Sequence, residues 1–527
     1  MRRATIAWLL AAAALTATTP ASARTEVEEV SIDDLQAALA TRRTTSVAVT
    51  RAYLDRIARI DRRGPSLRSV IAINPDALAQ AKALDAERRA GRVRGPLHGI
   101  PVLVKDNIET ADPVATTAGS LALAANLTRR DAPTIAYLRR AGAVILGKTN
   151  LSEWANIRST RSMSGWSAVG GLVRNPYALD RTACGSSSGS GAAVAASLAA
   201  VAIGTETDGS VVCPSSINGL VGFKPTIGLV SRTRVVPISH SQDTPGPMAR
   251  SVRDAAILLS AMVGTDPEDA ATARTVAHDY AADLSVSALS GVRVGVIRPD
   301  GLAADLAARY DAALAVLRAA GATLVDVTVP KLDGLGQAEL LVLKTELKTD
   351  LDAYLATTPP AVTTRTLDQV IAFNRANAAT EMPFFAQEIF EDAAKTRGLA
   401  DPAYRTARAT SLRLAGRDGI DAMLKTANAR FLVEPTYAQA WLSDPVHGDQ
   451  YGGPSASELP AVAGYPHLTV PMGLVRGLPV GLSFIGTRDD DQAVLNAGYA
   501  YEQRAHARVR PRYLPSADVG AGLDGAR

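Results

Sequence analysis

"TACGSSSGSGAAVAASLAAVAIGTETDGS", residues 182–210, is the stretch whose reading decides the fold. It sets a Gly/Ser cluster ahead of an almost unbroken run of small apolar residues and closes on a second Gly-Ser. A flexible linker resembles only the first part. The run that follows demands burial, so the cluster is expected to be a loop pinned against a core. Residues 191–204, "GAAVAASLAAVAIG", read as a buried helix, which sets the loop's amides and hydroxyls at the positive end of a helix dipole.

Such a loop is compatible with three chemistries. It could cradle a phosphate, but the Walker pattern needs a Lys-Ser/Thr pair that is missing here. Gly185 to Gly189 matches G-x-S-x-G, with Ser187 as the nucleophile of an α/β-hydrolase esterase. That elbow requires a strand directly before it, and "NPYALDRTAC" (175–184) does not read as one. It also needs a downstream acid and histidine, and no candidate, His467 included, is singled out by its context. The third chemistry pairs a serine with a lysine base, neutral because desolvation lowers its pKa. Arg cannot serve, since it keeps its proton. Only nine of the 56 basic residues are Lys, and Lys105 closes the apolar run Pro101 to Val104.

Outward from this stretch, helical text alternates with short apolar runs. Ser31 reads as an N-cap with Asp34 three residues on. Strands are expected within 68–74, 101–104, 291–300, 322–330 and 429–436, and in "HLTVPMGLV" and "PVGLSFIG" near the C-terminus. A helix-then-strand unit ends at a second lysine, Lys148. This pattern predicts an α/β fold: a single large domain with a mixed central β-sheet covered by helices on both faces. Length alone allows about two to four domains, but no linker or repeat interrupts residues 30–510. The Gly/Asp/Ala-rich tail, 511–527, is expected to be frayed.

The 527-residue chain is 47% hydrophobic and 20% charged, with a net charge of +4 and a pI near 9.0. No basic block marks a nucleic-acid partner. Residues 1–23 read as a secretory signal: Arg2 and Arg3, an apolar segment, and a cleavage site at Ala21 to Ala23. The apolar segment is shorter than the ~20 residues of a membrane span. The mature chain is therefore expected to be exported (periplasm or secreted) and free of the membrane. A periplasmic solute-binding protein would share these features, but it leaves the Lys and Ser residues unexplained. Cys184 and Cys213 are the only cysteines and are expected to be small buried thiols rather than a pair. The six histidines are scattered without metal-ligand spacing, so no metal site is expected.

"HGIPVLVKDNIET", "ACGSSSGSGAAVAA", "IGTETDGSVVCPSSINGLVGFKPTIGLVS", "SQDTPGPMARSVRDA" and "SELPAVAGYPHLTVPMGLVRGLPVGLSFIG" resemble successive blocks of the amidase signature family, from about residue 30 to 510. "KTNLSEWAN", "SGWSAVGG" and "GTETDGSVVCP" are most similar to the bacterial peptide amidases within it. The resemblance implies the amidase signature fold over 24–510 and hydrolysis of carboxamide C–N bonds, with ammonia released from amidated peptides or related amides. It implies Ser210 as nucleophile, Ser186 (after a cis peptide from Gly185) as bridge, and Lys105 as base. Ser186 and Ser210 are 24 residues apart, the span of the expected connecting helix. It further implies an oxyanion hole from the N–H groups of Thr207, Asp208, Gly209 and Ser210, support from Ser187, and neither cofactor nor metal. Lys148 and Lys224 are left structural. Two positions depart from the family pattern: Asp208 stands where Gly is common, as in the peptide amidases, and Val212 where Arg is frequent.

Overall fold

The computed structural model describes residues 25–517. The signal-like segment 1–23 and the end of the tail, 518–527, lie outside the described residues. Eleven strands form one sheet: β1 (Val70–Ile73), β2 (Pro101–Lys105), β3 (Val144–Thr149), β6 (Val201–Glu206), β7 (Val221–Lys224), β8 (Thr244–Ala249), β9 (Arg293–Ile297), β10 (Thr323–Val327), β11 (Phe431–Pro435), β12 (His467–Val475) and β13 (Leu478–Ile485). A separate two-stranded ribbon joins β4 (Trp166–Ser167) and β5 (Gly171–Leu172). The large sheet runs β1-β3-β2-β6-β8-β7-β12-β13-β11-β9-β10. β3, β2 and β6 are parallel, as are β11, β9 and β10, and the strands between are antiparallel. Every residue of β2, β3, β6, β7, β8, β11 and β13 is buried, so helices cover both faces, as the apolar text requires. The partly exposed edges are β1 and β10.

Ser31 caps the first helix, its Oγ accepting the Asp34 N–H at 3.1 Å. The expected strands all form. The run 191–204, in contrast, is not one helix. It divides into a helix over Ser188–Ala195, a turn through Ser197 at φ 54°, and β6. A wholly buried run has no polar face to mark its period. The Ala-rich half keeps helical propensity, while Val201 and Ile203 suit the strand between β2 and β8. The serine loops are therefore joined by a helix and a strand. β8, "TPGPMA", carries two prolines and is not readable as a strand. Its partner β7 engages only Met248 and Ala249, so Pro245 and Pro247 stand where the ladder has one neighbour instead of two.

The tail expectation needs correction at its start. Tyr513 N–H donates to Pro176 O at 2.9 Å, and Leu179 N–H to Leu514 O at 2.8 Å, which anchors that part of 511–517. No helix among the described residues is long and apolar enough to cross a membrane.

Candidate active site

β2 and β6 run side by side with Val104 opposite Ile203, so both strands end at the same edge of the sheet. Lys105 terminates β2, and the loop 207–210 leaves β6. The helix beginning at Ser188 packs against β6 and carries Ser186 and Ser187 to that edge. Close approach is enforced at Gly204, where a Cβ would lie 2.7 Å from Ser187 Oγ.

Lys105 is fully buried, with Nζ 2.8 Å from Ser186 Oγ and 2.8 Å from Thr205 Oγ1. Thr205 O accepts a third bond at 3.2 Å. Burial pulls the ammonium down to about 7, against the opposing charges of Asp243 and Glu206. Near neutral pH a large share is therefore free amine, with a lone pair able to accept the Ser186 proton. The peptide between Gly185 and Ser186 is cis, and Ser186 O accepts the Ser152 N–H at 3.0 Å.

Ser187 is differently placed. Its Oγ donates to Thr205 O at 3.0 Å and accepts the Thr205 N–H at 3.1 Å, while its own N–H donates to Ser210 O at 3.2 Å. It clamps the loop to the end of β6 and is completely buried. No strand precedes it at 175–184, so the elbow an α/β-hydrolase needs is missing. Exposure rises from 0% at Lys105 and Ser187 through 1% at Ser186 to 7% at Ser210, which makes Ser210 the most exposed of the three serines.

The loop around Ser210 is held from both sides. Thr207 Oγ1 donates to Asp243 at 2.5 Å, and Glu206 accepts the Val211 and Val212 N–H groups at 2.7 and 2.9 Å. Gly209 has φ +75°, and a Cβ there would sit 2.4 Å from the Tyr437 hydroxyl. Among the described residues, no hydrogen bond takes up the N–H groups of Thr207, Asp208, Gly209 or Ser210. Four successive unpaired donors at a buried edge are unusual, because buried N–H groups are nearly always satisfied.

The cysteines correct the expectation of free thiols. Cys184 and Cys213 form a disulfide with Cα atoms 6.0 Å apart. Cys184 lies two residues before Ser186 and Cys213 three after Ser210, so the contact that joins the serine loops also joins the sulfurs. Closing a loop with a sequence separation of 29 should stabilise the chain by about 3–4 kcal/mol. Thermal unfolding with and without reductant checks this: Tm is expected to fall once both thiols are released. An unchanged Tm with two titratable thiols would contradict it.

Several residues at this edge lie inside recognisable sequence blocks, yet sequence reasoning gave them no role. Asp243 and Gln242 belong to the "SQDTPGPMARS" block, and Ser457 and Glu458 to "SELPAVAGYP". Ser457 Oγ lies 2.8 Å from the Tyr437 hydroxyl. Asp208 Oδ1 is sealed from water without a hydrogen-bond partner, and burial pushes the carboxyl up. Glu339, from the long helix Leu335–Ala356, is pushed up to about 9 by burial and by the charge of Asp208. It accepts from Gln242 Nε2 at 2.8 Å. Nothing in its local sequence announces it.

Lys148 is buried, donates to Ile108 O and Thr116 Oγ1, and lies 3.6 Å from Asp106, an interior ion pair. Lys224 donates to Pro225 O at 3.1 Å, and burial lowers it to about 8. His240, Glu346 and Asp350 could hold a metal by proximity. Glu346, however, already accepts from Ser239, Ser241 and Tyr404, and His240 Nδ1 lies 2.8 Å from Asp350.

A family model described as Amidase matches residues 48–495. A probable amidase of Arabidopsis thaliana is 38% identical over 502 residues, covering 93% of this chain and 92% of its own. Among solved structures, the native peptide amidase from Stenotrophomonas maltophilia superposes with a TM-score of 0.89 at 51% identity, over 92% of this chain and 99% of that one. A peptide amidase in complex with the competitive inhibitor chymostatin gives 0.90 at the same identity and the same coverage.

Proposed function

The chain belongs to the amidase signature family and hydrolyses amide C–N bonds, and on that premise we propose that it is an exported amidase releasing ammonia from C-terminally amidated peptides through Ser210, Ser186 and Lys105. One observation carries the mechanism: a fully buried lysine amine, lowered to about 7, stands 2.8 Å from Ser186 Oγ. The 51% identity to peptide amidases supports the substrate class.

Neutral Lys105 takes the proton of Ser186, which takes that of Ser210, and Ser210 Oγ adds to the amide carbon. The resulting oxyanion is received by the unpaired N–H groups of residues 207–210; one such donor is commonly worth ~2.7–4 kcal/mol of barrier. The relay then returns its proton to the leaving nitrogen, the C–N bond breaks, and ammonia departs. Water, deprotonated by the same relay, releases the carboxylic acid from Ser210. Asp208, beside the nucleophile with an unpaired oxygen, receives an N–H of the substrate. Ser187 supports the relay by its clamp on Thr205.

Export rests on the signal-like residues 1–23 and on the disulfide, which persists in oxidising compartments. An ammonia-release screen over amidated peptides, free amino-acid amides and simple aliphatic amides tests the substrate class. Amidated peptides should give the highest kcat/KM; faster turnover of aliphatic amides would overturn the assignment. Protein from the native host should lack residues 1 to about 23, and an intact Met1 in its mass spectrum would overturn export.

A further inference from the structure

A cavity of about 660 Å³ opens beside the nucleophile loop, between β9, β11, the start of the helix Leu335–Ala356 and the helix Glu458–Ala463. That volume lies within the range of small-ligand sites. Its walls are largely apolar, with Ile297, Leu332, Leu335 and Leu459, and two carboxylates line it, Glu434 and Glu458. Glu434 is 9% exposed, and its carboxylate has no hydrogen bond or ion pair among the described residues. Burial alone pushes its carboxyl up to about 8. A desolvated carboxylate without a partner is costly, and a cation brought alongside it removes that cost.

The cavity adjoins the reaction site. Glu458 follows Ser457, whose Oγ is 3.0 Å from the position of a Cβ on Gly209. Glu458 is pushed up by burial and by the charge of Asp208. Tyr451 lies within electrostatic reach of both Asp208 and Glu434.

We propose that this cavity is a subsite for an aliphatic ammonium group of the substrate, with Glu434 and Glu458 holding the charge and the leucines its methylene stem. The inference rests on the peptide-amide reading, since an amidated peptide offers such a group as its free N-terminus or as a lysine side chain. Glu434 and Glu458 are specificity-determining residues in this account and take no part in the bond-breaking steps.

Calorimetry on the full chain with n-hexylammonium and 1-hexanol tests the site directly. The amine should bind at least about tenfold more tightly than the alcohol, and Glu434→Gln should remove that advantage. Glu458→Gln, at a more accessible position, should weaken amine binding in the same direction. Equal affinity for amine and alcohol, no detectable amine binding, or an unaffected Glu434→Gln protein would overturn the proposal. Kinetics then separate the sources of the charge: amidated peptides are compared with Lys against norleucine, and with free against acetylated N-termini. Wild-type kcat/KM should favour one cationic partner, and Glu434→Gln should bring that ratio toward one; a ratio unmoved by the substitution would also overturn the proposal. If no peptide amide releases ammonia, the peptide-amide reading fails, and with it the substrate assignment of the subsite. Amine binding in that case would show only that the cavity takes cations.

Discussion

Ser210→Ala should abolish ammonia release, lowering kcat/KM on the order of 10⁴-fold or more, while the far-UV spectrum and Tm stay close to wild type. Ser210 is the most exposed of Ser186, Ser187 and Ser210, at the end of a loop whose N–H groups are unpaired. Removing one oxygen there would delete the proposed attacking atom without opening a packed core. Ser187→Ala makes the contrast. That hydroxyl joins Thr205 O and Thr205 N at 3.0 and 3.1 Å, so its loss strands the buried Thr205 N–H, leaves Thr205 O to Lys105 alone, and should cost about 1–3 kcal/mol of stability. Activity should fall only partially. Turnover intact in Ser210→Ala and absent in Ser187→Ala would reverse the roles and restore the G-x-S-x-G reading.

Lys105→Arg should be as inactive as Lys105→Ala. The guanidinium keeps the charge and most of the length, but it cannot be neutral and so cannot accept a proton. A lysine present only to balance Asp243 and Glu206 would tolerate Arg. The wild-type pH profile supplies the second readout. Because burial lowers Lys105 to about 7, the protonated and inactive form dominates below that value. Activity should rise about tenfold per unit as pH increases toward 7 and level off above it. The sign follows from the direction of the shift: a base with a lowered pKa gains its active form on the alkaline side. A flat profile between pH 5 and 9, together with an active Lys105→Arg enzyme, would remove Lys105 from the reaction.

Much of this protein is legible in its sequence. The strand carrying Lys105, the Gly/Ser loop and the second Gly-Ser each have a local signature: an apolar run bounded by turn residues, or glycine where the backbone must bend sharply. Those signatures, taken in order along the chain, predict an α/β fold with a single mixed sheet, and the structure has that fold. Local pattern fails where burial is complete. Residues 191–204 carry no polar face, so nothing in the sequence marks the change from helix to strand at Ser197. β8 escapes for the opposite reason, because its prolines are tolerated only through the particular pairing that β6 and β7 supply.

The sequence by itself determined the chemistry available: a scarce lysine closing a buried strand, two serine loops at a fixed separation, and two cysteines beside them. Tertiary structure decided which of these meet. It set Lys105 against Ser186 while tying Ser187 into the backbone of Thr205, although the two serines are adjacent in the chain. It joined Cys184 to Cys213, and it gathered Asp208, Glu339, Glu434 and Glu458 around one edge of the sheet from widely separated segments. Propensity and pattern act over a few residues. Desolvation and charge coupling depend on what packs alongside, and only the folded chain specifies that.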